Sequence, residues 1–442
     1  MPVVTFRPWK RQTLLAWMLA VVLSPLPAVA QGLSDEIQVH GLVSQGYMRS
    51  TDNNYLANTA DGTFEFNEAI VNFSTQVSEN LRVGLQLLSR DLGKEGNNSV
   101  TLDWAYGDYR WRKNLGLRFG KLKFQMGFYN KGRDVDMLRT SILLPQAVYD
   151  ETTREFLHSY NGFSLYGRPL VPKIGRLSYE LYVGTLPVRD PNSNFWQNNL
   201  RIVINSLDLD ILQTIGYGLD LESLMAESLT VEHIFGGMLM WNTPLPGLRV
   251  ASNFFKGELE GIGRVELQPL DPNAAEGADL INALQLDLKI DRVLTLSAEY
   301  SRGDLLLAGE LLSTRFDMAF DMTLGKTGIT LSDIPTTMEW QGHYAMATYR
   351  LSDLLEVGSY YTKFYPNKND KDGAKLASQG EQKFRAWKED IALSTRFDMG
   401  ENWLLKLEAH RMDGAAQLMV HENPDGLERN WHLFLAKISC HF

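Results

Sequence analysis

Cysteine is almost missing from this chain. Cys440 is the only one in 442 residues, which rules out an intramolecular disulfide framework and a zinc site built from several cysteines. Long apolar runs are missing as well. Apart from Leu14 to Leu23, which is too short to span a bilayer and is followed by Pro25 and Pro27, nothing approaches the roughly 18 apolar residues of a membrane helix. Mean hydropathy is −0.21, so helical membrane spans are not expected. Positive charge is in deficit, with 43 basic against 53 acidic residues and a net charge of −10, which disfavours nucleic acid as a partner.

What is present begins with the N-terminus. Arg7, Lys10 and Arg11 precede the apolar stretch, and Ala28-Val29-Ala30 forms a small-residue cleavage site before Gln31. Residues 1–30 therefore read as a secretory signal peptide cleaved after Ala30, and residues 31–442 as a single mature domain. Removing the signal takes three bases and no acid, leaving the mature chain at −13. An exported domain of this size without disulfides has to be held by backbone pairing and packing.

Short segments of strict apolar/polar alternation recur along the whole mature chain, each with one greasy and one wet side. The cleanest flank Asp291: Leu284, Leu286, Leu288 and Ile290, then Leu294, Leu296, Ala298 and Tyr300, with polar residues between them. They predict a hairpin with strands over 280–290 and 292–302. Near the end, Trp403, Leu405, Leu407 and Ala409 alternate with Lys406, Glu408 and His410. Counted along the chain there are sixteen such segments, and Glu310 to Thr327 holds a possible extra hairpin that would make eighteen. Every second connection is short, as at 78–80, 113–114, 352–353 and 399–402. The others are long: 49–63, 187–228, 258–279, 303–338, 366–382 and 413–430. A Greek-key sandwich would not keep that rhythm, whereas an up-and-down antiparallel barrel does, and closing it removes the strand edges that hydrocarbon cannot satisfy. Trp104, Tyr106, Tyr109, Trp111, Tyr360, Tyr361, Trp403 and Trp431 fit interfacial aromatic girdles, although strand propensity also favours aromatics.

The final strand, Trp431 to Phe442, alternates to its last residue. Phe442, Cys440, Ile438, Ala436 and Phe434 share one face, with His441, Ser439 and Lys437 on the other; only Leu433 and Leu435 blur the wet side. With the signal peptide, the opening strand IQVHGLVSQGYM, the long excursion after the fifth strand and the terminal Phe442, the chain resembles the bacterial outer-membrane porin superfamily of sixteen-stranded trimeric barrels. That resemblance implies an all-β fold, a closed transmembrane β-barrel in the outer membrane in contact with its lipid. It also implies a water-filled pore for small hydrophilic solutes or ions, a homotrimer, and a third loop folded into the lumen.

The excursion, Gln125 to Glu155, fits that loop in position and length. Lys131, Arg133, Arg139 and Arg154 stand against Asp134, Asp136, Asp150, Glu151 and Glu155, and Ile142, Leu143 and Leu144 offer an apolar docking triplet. Opposed charges at a constriction would filter polar solutes. On the preceding strand Arg118 is expected to point inward, while Lys121 and Lys123 belong either to a basic wall facing the loop or to the rim. These twelve residues are the candidate pore-lining and constriction set.

Catalysis is not expected. H-E-x-x-H, G-x-S-x-G and Walker-type loops are absent from the sequence, and Gly162 to Gly167 around Ser164, with His158 nearby, has the wrong spacing for a nucleophile elbow. Asn367 to Gly373 mimics a calcium loop, but Lys368 falls where the first ligand belongs. No cofactor or metal is assigned. Asp208, Asp210 and Asp220 lie in an apolar-rich segment, 206–228, read as a helix within its loop. Two other readings stay open: a barrel whose long loops bind a ligand or partner, and a barrel hydrolase.

Overall fold

A computed structural model describes residues 37–93, 95–188, 192, 196, 217–269, 281–324 and 329–442. The signal segment, Asp208 and Asp210 lie outside these.

One antiparallel sheet closes on itself. Its strands are β1 (Gln38–Ser50), β2 (Phe66–Ser78), β3 (Leu81–Leu92), β4 (Thr101–Arg112), β5 (Leu115–Lys123), β6 (Ser159–Gly167), β7 (Gly175–Thr185), β8 (Tyr217–Asn242), β9 (Leu248–Pro269), β10 (Ile281–Arg302) and β11 (Leu305–Leu324). Ile329–Met338 and Gln341–Arg350 both pair with β11 and form one interrupted wall strand, β12. β13 (Leu355–Tyr365), β14 (Lys388–Met399), β15 (Trp403–Gly414) and β16 (Asn430–His441) complete a sixteen-stranded wall, with a two-residue strand, Leu170–Val171, inside a turn. Closure is by β16 on β1: Gly41 N–H donates to Phe442 O at 2.9 Å and Phe442 N–H to Gly41 O at 3.1 Å. The C-terminal aromatic thus completes the ladder.

Sixteen strands agree with the sequence reading, but parts of it are corrected, among them the connection 258–279, whose residues 258–269 belong to strand β9. Asp291 is not a hairpin turn. β10 runs straight through it, and Asp291 is the extra residue of a β-bulge, with Ile290 opposite Phe316 and Arg292 opposite Arg315. The missing strand is β11, inside what reads as the loop 303–338. Likewise β8 begins at Tyr217, so residues 217–228, Asp220 included, are strand and not helix.

Side-chain alternation shows what the bulge does. Below it, Leu296 points outward while Val293, Thr295, Ser297 and Glu299 point in. Above it, Leu286 and Ile290 are buried inside and Asp287 and Lys289 are outside. A bulge shifts side-chain parity by one, so a single even-numbered apolar series faces the surroundings in its lower half and the interior in its upper half. β8 makes the same switch, where Glu232 is the extra residue and both Glu232 and His233 are outward. β9 and β11 need no bulge, because their composition changes instead. On β9 the outward face goes from Phe254 to Glu258 and Glu260, and the inward face from Asn253 to Phe255 and Leu259.

Outside, Val43, Leu87, Phe119, Phe163, Leu181, Phe235, Leu311, Leu393, Leu407, Phe434 and Ile438 form the apolar belt of a membrane barrel. The aromatic girdle holds only in part. Trp111 and Trp403 are outward, but Trp104, Tyr360 and Trp431 are buried inside, Trp431 edge-on to Tyr55 with ring centroids 5.6 Å apart.

Candidate constriction site

The chain leaves β5 at Lys123 and re-enters the wall at Ser159, and everything between lies within the barrel. Within β5, three residues before the chain leaves it, Gly120 sits at φ +116°, where a Cβ would collide with the Ala105 carbonyl. Three groups of wall residues then hold the loop.

The first is on β14 to β16. Glu408 accepts the backbone N–H groups of Ile142 (2.7 Å) and Leu143 (2.9 Å), and is itself bonded by Ser394 and His410. Lys406 donates to the carbonyls of Asp136 (2.8 Å) and Ser141 (3.1 Å). Lys437 lies 2.9 Å from the Asp136 carboxylate, to which Ser439 also donates at 2.6 Å. Arg139 bonds the same Asp136 at 3.3 Å. Two buried ammonium groups against one buried carboxylate are tolerable because the loop carbonyls and Glu68 take their remaining protons.

The second group is on β3 to β5. Arg90 and Arg133 both meet Glu151 at 2.8 Å, while Lys123 and Gln86 reach Asp134 at 2.7 and 2.8 Å. His158 lies 3.0 Å from Asp103 and 3.5 Å from Asp134, with Arg154 at 3.9 Å from Asp134. Asp103, Asp134 and His158 are close enough to share a metal ion, but Lys123, Gln86 and Arg154 already face the two carboxylates. The chemistry is therefore that of an ion-pair anchor and not of a metal centre. His158 is committed to it as well.

The third group is across the lumen. Lys131 pairs with Glu180 (2.5 Å), Tyr129 donates to Glu299 (2.7 Å), and Glu310 accepts from Phe128 N–H (2.7 Å) and from the Tyr149 hydroxyl. Fastened to opposite walls, the loop crosses the full width of the barrel.

The apolar triplet docks where the alternation of β16 breaks. Ile142 and Leu143 pack with Leu433 and Leu435, the two residues that blur the wet face, and with Met412 and Trp431; Leu144 packs toward the other side with Val148 and Tyr149. A leucine on the lumen side of this wall marks contact with the loop instead of water.

Electrostatics keeps the loop carboxylates ionised. Burial works against the charge on Asp134, yet Lys123, His158 and Arg154 outweigh it and hold the carboxyl well below its usual range. Burial opposes ionisation of Asp136 too, and Lys437, Lys406 and Arg139 overcome it. Glu151 is depressed in the same way against its burial, by Arg133, Arg90 and Arg154.

Of the twelve residues picked from sequence, Lys123, Lys131, Arg133, Asp134, Asp136, Arg139, Glu151 and Arg154 are brought into these anchors. Arg118 points inward to Asp108 at 2.9 Å, and its guanidinium covers the Tyr166 ring at 3.9 Å. Lys121 bonds the Leu102 carbonyl on β4. Asp150 accepts from Thr152 and Gln417. The side chain of Glu155 lies outside the described residues. Sequence reasoning missed the wall partners, above all Arg90, Glu180, Glu299 and Glu310. For Lys406, Glu408 and Lys437 the signal was available, because they stand on the wet faces of strands assigned correctly. In the calcium-like stretch, Asp370 instead accepts the N–H groups of Lys375 (2.9 Å) and Leu376 (3.1 Å).

Toward the short turns the loop leaves a cavity of about 410 Å³ lined by Arg118, Lys131, Arg168, Arg176, Arg249 and Glu180.

No protein-family model and no curated protein sequence matches the chain. Solved structures do. Salmonella typhi OmpF, in a complex with daunomycin, is 12% identical with a TM-score of 0.52, over 92% of this chain and 97% of that one. An anion-selective porin from Comamonas acidovorans (12% identity, TM-score 0.48) aligns over 92% and 99% of the two chains. The outer membrane channel DcaP of Acinetobacter baumannii (9%, 0.48) aligns over 93% and 100%. At such identities the likeness is one of fold: the chain has a porin-like closed barrel.

Proposed function

We propose that this chain is an outer-membrane channel for passive diffusion of small hydrophilic solutes and ions, narrowed by the loop 125–155. The observation that carries the reading is the loop itself, held on three sides by wall residues inside a closed barrel with an outward apolar belt. Width and fixed charge are then the filter, and neither a cofactor nor covalent chemistry is needed. The constriction is assigned to Arg118, Lys121, Lys123, Lys131, Arg133, Asp134, Asp136, Arg139, Asp150, Glu151, Arg154 and Glu155. Export by a signal cleaved after Ala30 and assembly as a homotrimer belong to the same reading. N-terminal sequencing of the mature protein should begin at Gln31, and cross-linking should stop at three copies.

The deciding experiment is single-channel conductance of refolded protein in a planar bilayer, followed by deletion of Asp134 to Tyr149. Steady conductance that rises on deletion is the expected result. A correctly folded barrel that never conducts would overturn the channel reading, and an unchanged conductance would remove the loop from the path.

A further inference from the structure

We propose that the chamber on the long-loop side of the constriction is a binding site for small, uncharged, ring-bearing solutes with a hydroxylated substituent. This names a solute class for the channel proposed above and rests on that reading.

The inner faces of the tall strands carry the argument. Above the bulges, Leu259, Leu286, Ile290 and Met318 are buried inward, while Glu258, Glu260, Asp287 and Lys289 are outward. A water-filled lumen has the opposite arrangement, polar within and apolar without. Here the polarity of the wall is inverted by the bulges at Glu232 and Asp291 on β8 and β10 and by the change of composition along β9 and β11. The inverted region surrounds a cavity of about 120 Å³. That is the order of the roughly 150 Å³ apolar cavity that stays dry and takes up benzene. Leu288, Phe316, Met338, Trp340 and Phe364 line it without being fully buried, so apolar surface is presented to the chamber itself. Such lining matches a ligand's ring and gains from contact with it.

Polar groups gather on the loop side of the chamber. Asp150, Thr152 and Gln417 are joined there, with Gln417 Nε2 donating to Asp150 at 2.7 Å and Thr152 Oγ1 donating to it at 2.8 Å. They can exchange hydrogen bonds with hydroxyl groups. Among the described residues none that lines the cavity is basic, so a carboxylate would be desolvated opposite Asp150 with no counter-ion from them. Asp150 is already paired with Thr152 N–H, Thr152 Oγ1 and Gln417 Nε2, which leaves it a poor counter-ion for a cation, so the solute favoured is neutral, with a ring at one end and hydroxyls at the other.

Phenyl β-D-glucoside and methyl β-D-glucoside make a matched pair of water-soluble probes that differ in the ring. Added from the long-loop side to a conducting wild-type channel, the phenyl compound should interrupt the current at concentrations roughly tenfold or more below those needed for the methyl compound. Phe316→Asn should bring the two probes closer together. Equal potency of the two glucosides, or no effect of either, on a conducting channel would overturn the binding site and leave the channel standing. If the folded barrel never conducts, the channel reading falls and the site is read by equilibrium dialysis of phenyl β-D-glucoside against protein in nanodiscs. Saturable uptake there, weaker for the methyl compound, supports the site; no saturable uptake overturns it. The comparison of probes on the wild-type protein needs no variant to fold.

Discussion

Two arcs of the same barrel solve the inside problem in opposite ways. On β14 to β16 the inner face is charged and polar over most of its length, with Lys388, Asp390, Ser394, Lys406, Glu408, His410, Lys437 and Ser439 all buried, and turns apolar only at Met412, Trp431, Leu433 and Leu435, where the loop docks. On β8 to β11 the polar groups sit in the lower half of β9, β10 and β11, and the upper half is apolar. The first arc meets the backbone of a loop, whose N–H and C=O groups require partners, so carboxylates and ammonium groups suit it. The second arc rises past the outward apolar belt, where its outer face meets water, so charge moves outside and apolar residues turn in. What a strand puts inside is set by what it touches at each height, and not by one rule for the whole barrel.

The comparison breaks most severely if the parity switch is removed. Deleting Asp291 slips one half of β10 against the other, driving Leu294 and Leu296 into the lumen or Leu286 and Ile290 out of it. Refolding should fail, seen as loss of heat-modifiable migration on gels, while Asp291→Asn, which keeps the residue count, refolds like the wild type. A deletion variant that refolds at full yield would mean that the bulge does not organise the tall arc.

On the charged arc the sharpest change is Asp136→Ala. Lys406 and Lys437, 1% and 2% exposed, would lose the carboxylate they share. Breaking a buried ion pair costs about 3–5 kcal/mol, here levied on the loop's attachment and not on the closed sheet. The barrel should still assemble, but trypsin should cut the loop at Lys131, Arg133 or Arg139, sites protected in the wild type. Unaltered protection would show that the carbonyl and Glu408 contacts suffice.

Both arcs were partly legible in the sequence, and for different reasons. Alternation at Leu405, Lys406, Leu407 and Glu408 has period two with no interruption, so face and strand followed together. In β10 the same period persists across Asp291, but the extra residue there is indistinguishable from a one-residue turn by pattern alone; pairing with β11 decides it. β11 itself was read as loop because its interior face, Leu312, Phe316, Met318 and Phe320, is apolar where a wet face was expected. The strand count came out right because one strand, β10, counted as two, offset one strand missed, β11. The loop's charges were visible, yet their partners depend on long-range register, and Arg90 to Glu151 or Lys131 to Glu180 leaves no trace in local spacing. Local clues to docking were the loop's apolar triplet, Ile142 to Leu144, and on the wall Leu433 and Leu435, present as an exception.

Acid should act on the charged arc and its loop more gently than Asp136→Ala. The folded-state pKa values of Asp134, Asp136 and Glu151 are lowered, so the stability they contribute is fully present above the unfolded carboxylate values, about 4. It is lost only as pH falls through the folded values, which lie lower. Single-channel conductance should therefore hold steady from pH 8 to about pH 5 and become noisy or larger only well below pH 4. A change centred near pH 6 would point to groups other than these carboxylates.

The smallest effect belongs to the outer face of the tall arc. Lys256 pairs with Asp291 at 3.2 Å, with side chains 44% and 34% exposed, whereas Lys437 pairs with Asp136 and Glu68 at 2% exposure. Both are lysines facing acids, but water screens the first and relieves either partner when the other is removed. Lys256→Gln should thus cost at most about 1 kcal/mol and leave the urea midpoint and the loop's trypsin resistance unchanged. Lys437→Gln should release the loop as Asp136→Ala does, because Asp136 would keep a buried charge with one fewer cation. Equal effects of the two substitutions would mean that the inner face of the charged arc is as wet as the outer face of the tall one, and the contrast between the arcs would then be one of shape alone.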